Sequence, residues 1–471
     1  MPTFSGKFQY LNPDGTPVQA GPCKVTFEAE TLTLVPGSGA PIALDLGDID
    51  VFVPGDYELT LTLYTGKRIL LNQFGKTFQN LCHDLLEAYR RRLVQCLLLE
   101  DLEEISRFDG FARLDSPTRT FSSPAEFRLY KSNLALLPTQ ATGFQWRLAD
   151  IDTVSFDEAN YAVVLASAGE RLAITKLAKR TREFHERLQE STSQLAQKGA
   201  ETLHALFPFL DPDQFQQVAL LMKEGRAAPL ARLRAIHAKT EQALAGNVVD
   251  TTLKPYFEAL MSHTPAGWLY AGFKLLRKDE GEGETEGQEQ QEQAPEEAGA
   301  TPESTGEGAS EETPEEAADQ PLAEAGVEKP GEEEQPILHW FFFPLAAKPG
   351  AGLPSNLVAW EATSRSGRAT YFFRLVPPEQ AGLLQDAAKA PGLVDTAIRQ
   401  LNHAIVLLNF RREPIYLPDD SLEIQPRFRR YAIACRKIAE LRRLRASFLG
   451  RAIHTSPQAW EKQLAGFLTK A

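Results

Sequence analysis

The side chains best suited to chemistry come in two matched sets. Asp48 and Asp50 follow Leu46-Gly47, and Asp150 and Asp152 follow Leu148-Ala149. Carboxylates this close suit a divalent cation or a general acid–base pair. An acid placed after a strand also accepts backbone N–H bonds and caps a turn. Occurrence of the motif twice favours the turn, because a requirement of the fold is what duplicated segments share. The histidines at 83, 185, 204, 237, 263, 339, 403 and 454 stand singly, none three or four residues from another as a two-ligand helix face needs. Cys82 and His83 are adjacent, which turns them about 100° apart on a helix. The glycines at 281, 283 and 287 lie in an acidic stretch with no strand before them, so they cradle no phosphate. No catalytic residue, metal or cofactor is assigned, and an enzyme is not expected. The alternative is an enzyme whose C-terminal pocket gathers His339, Trp340, His403 and Arg411.

A cationic cluster is the stronger candidate. Arg427, Arg429, Arg430, Arg436, Lys437, Arg442, Arg443 and Arg445 share a stretch with Tyr431, Ala434, Cys435, Ile438, Leu441 and Leu444 at helical spacing. The pattern predicts one amphipathic helix from about 427 to 453 whose basic face binds nucleic acid or another polyanion. The competing reading is a solvated surface helix.

Length and composition frame these residues. At 471 residues the chain exceeds one ordinary core, and an apolar fraction of 43% is that of a globular protein. The net charge of -13 averages unlike segments: residues 279–335 hold 21 acids against the single Lys329, while residues 336–471 carry an excess of nine cations. Segment 279–335 has almost nothing to bury against an ordering entropy of roughly 1–2 kcal/mol per residue, so a disordered acidic linker is expected there. Four scattered cysteines fit a reducing compartment, and neither a signal sequence nor a membrane span is evident, so a soluble, cytoplasmic protein is expected.

The elements that position the paired acids are themselves repeated. Val25, Phe27, Leu32 and Leu34 correspond to Phe127, Leu129, Leu134 and Leu136. Tyr57, Gly66, Arg68, Lys76, Leu81 and Leu85 correspond to Tyr161, Gly169, Arg171, Lys179, Phe184 and Leu188. In the first copy, Tyr57, Leu59, Leu61 and Leu63 alternate with polar residues, the period of a strand with one wet face. After Gly75 the spacing changes to threes and fours, through Phe78, Leu81, Leu85, Tyr89 and Leu93, the stripe of an amphipathic helix. Helix is expected to continue through Leu93–Ser106 and to pack one copy on the next.

Six or seven short strands followed by one helix, with a Leu two residues before Asp-Ile at 46–49 and 148–151, resembles the pleckstrin-homology-like superfold and its GRAM relatives. Tandem modules with an acidic segment are also similar to subunits of FACT-type histone chaperones. The resemblance implies small barrels plugged by a helix. Phosphoinositide binding, which it would also imply, is disfavoured: the loop 11–22 holds no Lys or Arg, and its counterpart offers Arg119 alone.

The expected architecture is multidomain α+β: a PH-like module at 1–98, a second at 99–198, a helical segment at 199–278, the acidic linker at 279–335, and a helix-rich α+β domain at 336–471. The expected function is a scaffold or adaptor binding protein partners through the tandem modules. The alternative is a chaperone-like or nucleic-acid-associated regulator that uses the acidic linker and the basic helix.

Overall fold

The structure is a computed structural model that describes residues 2–116, 119–167, 169–249, 252–275, 337–363 and 369–469. The expected disordered linker at 279–335 and the expected hairpin turn at 365–368 lie outside the described residues.

Alternation builds the first sheet. Its strands are β1 (Thr3–Leu11), β2 (Pro17–Glu28), β3 (Thr31–Pro36), β4 (Ile42–Asp45), β5 (Ile49–Pro54), β6 (Glu58–Leu63) and β7 (Arg68–Asn72). They pair antiparallel in the order β4-β3-β2-β1-β7-β6-β5. In β6, Leu59, Leu61 and Leu63 are buried while Glu58, Thr60 and Thr62 are half-exposed between them. The helix α1 (Phe78–Cys96) covers the sheet with Phe78, Leu81, Leu85, Tyr89 and Leu93. Burying one such leucine stabilises by roughly 2 kcal/mol, against a few tenths that separate ordinary residues in helix propensity. Packing on the sheet therefore holds this helix in place.

The second module repeats the plan with β8 (Glu104–Asp115), β9 (Thr120–Tyr130), β10 (Asn133–Pro138), β11 (Phe144–Arg147), β12 (Thr153–Asp157), β13 (Ala162–Ser167), β14 (Glu170–Thr175) and the helix α2 (Thr181–Leu206). Its order, β11-β10-β9-β8-β14-β13-β12, is the first with seven added to every strand. Each module carries a 3-10 turn between its fourth and fifth strands, Leu46–Asp48 and Leu148–Asp150. These turns hold the paired acids.

The remainder begins with α3 (Pro212–Leu221), capped by Asp211 in a capping box with Gln214. It continues through β15 (Ala228–Pro229), α4 (Leu230–Ile236), α5 (Lys239–Val248), α6 (Lys254–His263) and β16 (Tyr270–Leu275). After the linker come β17 (Ile337–Leu345), β18 (Leu357–Thr363), β19 (Ala369–Phe373), α7 (Ala390–Leu407), α8 (Glu413–Tyr416), α9 (Asp419–Ile424), α10 (Arg429–Lys437), α11 (Ala439–Ser447), β20 (Phe448–Ile453) and α12 (Pro457–Leu468). β15 to β20 form one sheet in sequential order, so residues from 199–278 and from 336–471 contribute strands to the same layer. Residues 275–338 separate as a unit of their own, in which Leu275, Ile337 and Leu338 are the described residues.

Two local expectations are corrected. Helix does not continue to Ser106: α1 stops at Cys96, Leu98 turns left-handed (φ +59°), and the chain enters β8 at Glu104. Leu97, Leu98 and Leu99 stay buried, so the apolar run fills a seam between modules without being helical. The basic helix is likewise interrupted. Ile438 is extended (φ -98°, ψ 111°), and residues 448–453 pair with β19 as an edge strand. A short apolar run fits periods of 2 and 3.6 almost equally, and sheet pairing decides here. Between β19 and α7 lies a 3-10 stretch, Pro378–Gln385.

Candidate interaction site at the duplicated turn

The turn of the first module is capped from within. Asp45 accepts the Gly47 N–H at 2.7 Å and is clamped bidentately by Arg92 of α1, at 2.9 Å and 2.8 Å. The cap is thus Asp45, one residue before the repeated motif, and this corrects the expectation that the paired acids cap the turn themselves. Asp48 and Asp50 are engaged elsewhere. Asp48 accepts Arg429 at 3.1 Å and Arg436 at 2.5 Å, and Lys437 reaches Asp50 at 2.7 Å and the Ile49 carbonyl at 2.8 Å. All three cations stand on α10, spaced i, i+7 and i+8, which puts them on one helix face. Glu423 pairs with Arg429 and Arg436 from the other side.

Apolar contact sets the distance between these charges. Ile433, fully buried at position i+4 of the same face, drops onto Gly47, where a Cβ would lie 2.9 Å from its Cδ1 and 2.7 Å from Cys96 Sγ. The Arg436 guanidinium stacks over Tyr64 at 4.2 Å. Next to this contact, Arg430 pairs with Glu100 and Arg411 with Asp101 at 2.5 Å, both on the inter-module connection. Burial raises the Asp48 pKa above its ordinary value, and Arg436 and Arg429 only partly offset this. The neighbouring Asp45 carboxylate also acts to raise it.

The second turn meets the same C-terminal domain with different chemistry. Asp150 accepts His403 Nδ1 of α7 at 3.1 Å and lies 3.6 Å from Arg147. Burial acts to raise the Asp150 pKa, but Arg147 and the His403 hydrogen bond outweigh it and hold the carboxyl far below the usual range. Arg147 occupies the repeat position of Asp45, so the charge is reversed. It donates to the carbonyls of Gly225 at 3.0 Å and Glu224 at 3.2 Å. Asn402, next to His403, donates to the Gly225 carbonyl at 2.9 Å and accepts from Ala227 N–H at 3.2 Å and Trp340 Nε1 at 3.0 Å. Gly225 is left-handed (φ +72°), and a Cβ there would lie 2.2 Å from Arg147.

Of the expected polyanion-binding residues, the structure gathers Arg429, Arg430, Arg436 and Lys437 over the first module and its connection. Arg427 stacks on Phe428 at 4.4 Å. Arg442 and Arg443 are exposed on α11, with Arg442 donating to the Arg436 carbonyl. Arg445 turns away to Asp419 at 2.5 Å and the Leu417 carbonyl at 2.9 Å. The residues proposed for a C-terminal pocket are also engaged separately: Trp340 with Asn402, His403 with Asp150 and Arg411 with Asp101. His339 is buried, and burial lowers its pKa to about 4. Among the described residues no group of His, Cys, Asp and Glu is placed to hold a metal ion, and no helix is long and apolar enough to cross a membrane.

Sequence reasoning missed Asp45, Gly47, Arg92, Glu423, Ile433, Gly225 and Asn402. One signal was available: within a close repeat, Asp45 faces Arg147 and Gly47 faces Ala149, so the copies differ where each turn meets its surroundings.

The architecture is a pair of seven-stranded antiparallel modules, each followed by a helix, and in this it resembles PH-like domains at the level of fold. No protein-family model matches the chain, and no curated protein matches it. Among solved structures, the pleckstrin homology domain of USP37 is similar at 14% identity over 19% of this chain and 97% of that one, with a TM-score of 0.16. The Spt16D–Pob3N heterodimer is similar at 14% identity over 36% of this chain and 83% of that one, also with a TM-score of 0.16.

Proposed function

We propose that this protein is a non-enzymatic, cytoplasmic scaffold or adaptor that binds protein partners through its two modules, each sheet closing into a PH-like barrel plugged by its helix. The observation that carries the reading is the fixed join between modules. The Phe52 N–H of edge strand β5 donates to the Thr139 carbonyl of the second module at 2.8 Å. Gln145 donates to the Leu97 carbonyl at 2.6 Å, and Arg90 of α1 reaches Glu126 at 3.0 Å. Such a join holds two surfaces at a set spacing, as a scaffold needs.

Equivalent hairpin tips offer contact points. Tyr57 and Tyr161 are 76% and 58% exposed, and both are left-handed, at φ +61° and +50°. A non-glycine residue in that region costs on the order of 1 kcal/mol or more, and strain of this kind collects at functional sites. Exposed tyrosine also suits protein contact, with a large apolar body and a polar tip. The free thiols of all four cysteines support the cytoplasmic assignment.

The test is affinity capture with the full chain after nuclease treatment, in about 0.3 M salt, where charge attraction is screened within a few Å. A stoichiometric protein partner that Tyr57→Ser/Tyr161→Ser loses supports the scaffold. Stoichiometric nucleic acid in untreated samples, with no protein partner, contradicts it. That outcome belongs to the second reading, a chaperone-like or nucleic-acid-associated regulator, which requires Arg429, Arg436 and Lys437 to leave their present carboxylates.

A further inference from the structure

The C-terminal domain is held to the modules by two seams of unequal kind. At the second module His403 meets Asp150 in a partly exposed pair, and beside it Arg147 of the module and Asn402 of α7 both bond the backbone of segment 199–278, at Gly225 and Ala227, where the partners are buried. At the first module and the connection after it, five cations meet carboxylates: Arg429 and Arg436 at Asp48, Lys437 at Asp50, Arg430 at Glu100 and Arg411 at Asp101. The Arg429, Arg436 and Glu423 side chains keep 25%, 21% and 35% of their exposure, so water and salt reach them. Asp48 and Lys437 themselves keep only 12% and 2%, so the pairs they make are largely enclosed, whereas the outer pairs to Glu423, Glu100 and Asp101 are open to water and weaken as salt is added. One buried apolar side chain, Ile433 on Gly47, sets the register.

We propose that the acidic turn of the first module, Asp45 to Asp50, is a docking site for basic amphipathic helices, and that α10 occupies it in cis as an exchangeable stand-in. The seated helix defines the partner: Arg at one position, an apolar residue such as Ile at i+4 over Gly47, Arg at i+7 and Lys at i+8. Gly47 favours this fit, since a Cβ there would press on the i+4 side chain at 2.9 Å and on Cys96 Sγ at 2.7 Å. Its counterpart in the second module is Ala149, beside Asp150, which meets His403 of α7. Opening at the first module, with the second seam retained, frees the acidic turn for a partner helix. The proposal rests on the reading of the modules as partner-binding units and adds the chemistry of one partner.

A labelled synthetic peptide of residues 425–438 serves as the probe, with full-length protein in 50 mM salt. Arg429→Gln/Arg436→Gln/Lys437→Gln weakens the stand-in, and this variant is expected to bind the peptide at least tenfold tighter than the wild type. Adding Asp48→Asn/Asp50→Asn is expected to abolish binding. No binding by a triple variant that still unfolds cooperatively overturns the proposal, as does binding indifferent to Asp48 and Asp50. Should the triple variant not fold, hydrogen exchange on the wild type decides. Between 50 mM and 1 M NaCl, amides of 46–52 and 429–437 are expected to lose protection severalfold while those of 148–151 and 225–227 do not. An equal response at both seams overturns the proposal. Failure here with tyrosine-dependent capture intact leaves the scaffold reading standing, because the two tests use different surfaces.

Discussion

Two turns descended from one segment meet the same C-terminal domain, and they do so with opposite electrostatics. Asp48 is surrounded by cations yet has its pKa raised, because burial and the nearby Asp45 carboxylate outweigh Arg436, Arg429 and Lys437. Asp150 has its pKa lowered, because Arg147, the His403 hydrogen bond and Arg226 outweigh its burial and no carboxylate is among the groups acting on it most strongly. Duplication conserved the backbone turn and left the outward contact free to diverge. Where the flanking residue is acidic, Asp45, it binds an intramodular arginine; where it is basic, Arg147, it reaches across to Gly225.

The contrast breaks most visibly at the hydrogen-bonded seam. Asn402→Ala strands Trp340 Nε1, Ala227 N–H and the Gly225 carbonyl, and at 1–3 kcal/mol per buried orphan a loss of about 3 kcal/mol is expected in denaturant unfolding. Gly47→Ala comes next. The added Cβ presses on Cys96 and Ile433, and overpacking of this kind costs about 1–3 kcal/mol; Ala149→Gly, the reverse exchange in the other copy, should stay below about 1 kcal/mol.

The two aspartates are then expected to separate by pH. A lowered folded pKa means that ionised Asp150 stabilises above its unfolded value of about 3.9 and that this contribution is lost as pH falls through the folded value. A raised folded pKa means the reverse for Asp48: its ionisation opposes folding at neutral pH, and acidification through the folded value relieves that. Asp150→Asn should therefore destabilise at pH 7 more than Asp48→Asn does, with the gap narrowing as unfolding is followed from pH 7 towards pH 4. The smallest effect is expected for Arg443→Gln, an exposed residue on α11, at within about 0.5 kcal/mol.

Much of this fold was legible because it is periodic and local. The repeat, the alternation in β6, the stripe of α1 and the caps at Asp211 and Ser456 all depend on neighbours within a few residues. The seam was not legible for the opposite reason. Asp48 meets Arg429 and Arg436 across separations of 381 and 388 residues, and no spacing rule connects them. The cationic stretch looked like an unpartnered basic face because its carboxylates lie at the far end of the sequence. β20 was hidden too, since Phe448–Ile453 becomes a strand only when β19 is there to pair with it.

The most direct test of the account is a double-mutant cycle on Asp48 and Arg436, using Asp48→Asn and Arg436→Gln, with stability measured by denaturant unfolding in 50 mM and 1 M NaCl. A coupling on the order of 1 kcal/mol at low salt that falls by half or more at high salt is the result expected of a charge-held seam between the first module and the C-terminal domain. Additive effects at both salt concentrations would mean that the two residues do not meet, and the account would be wrong.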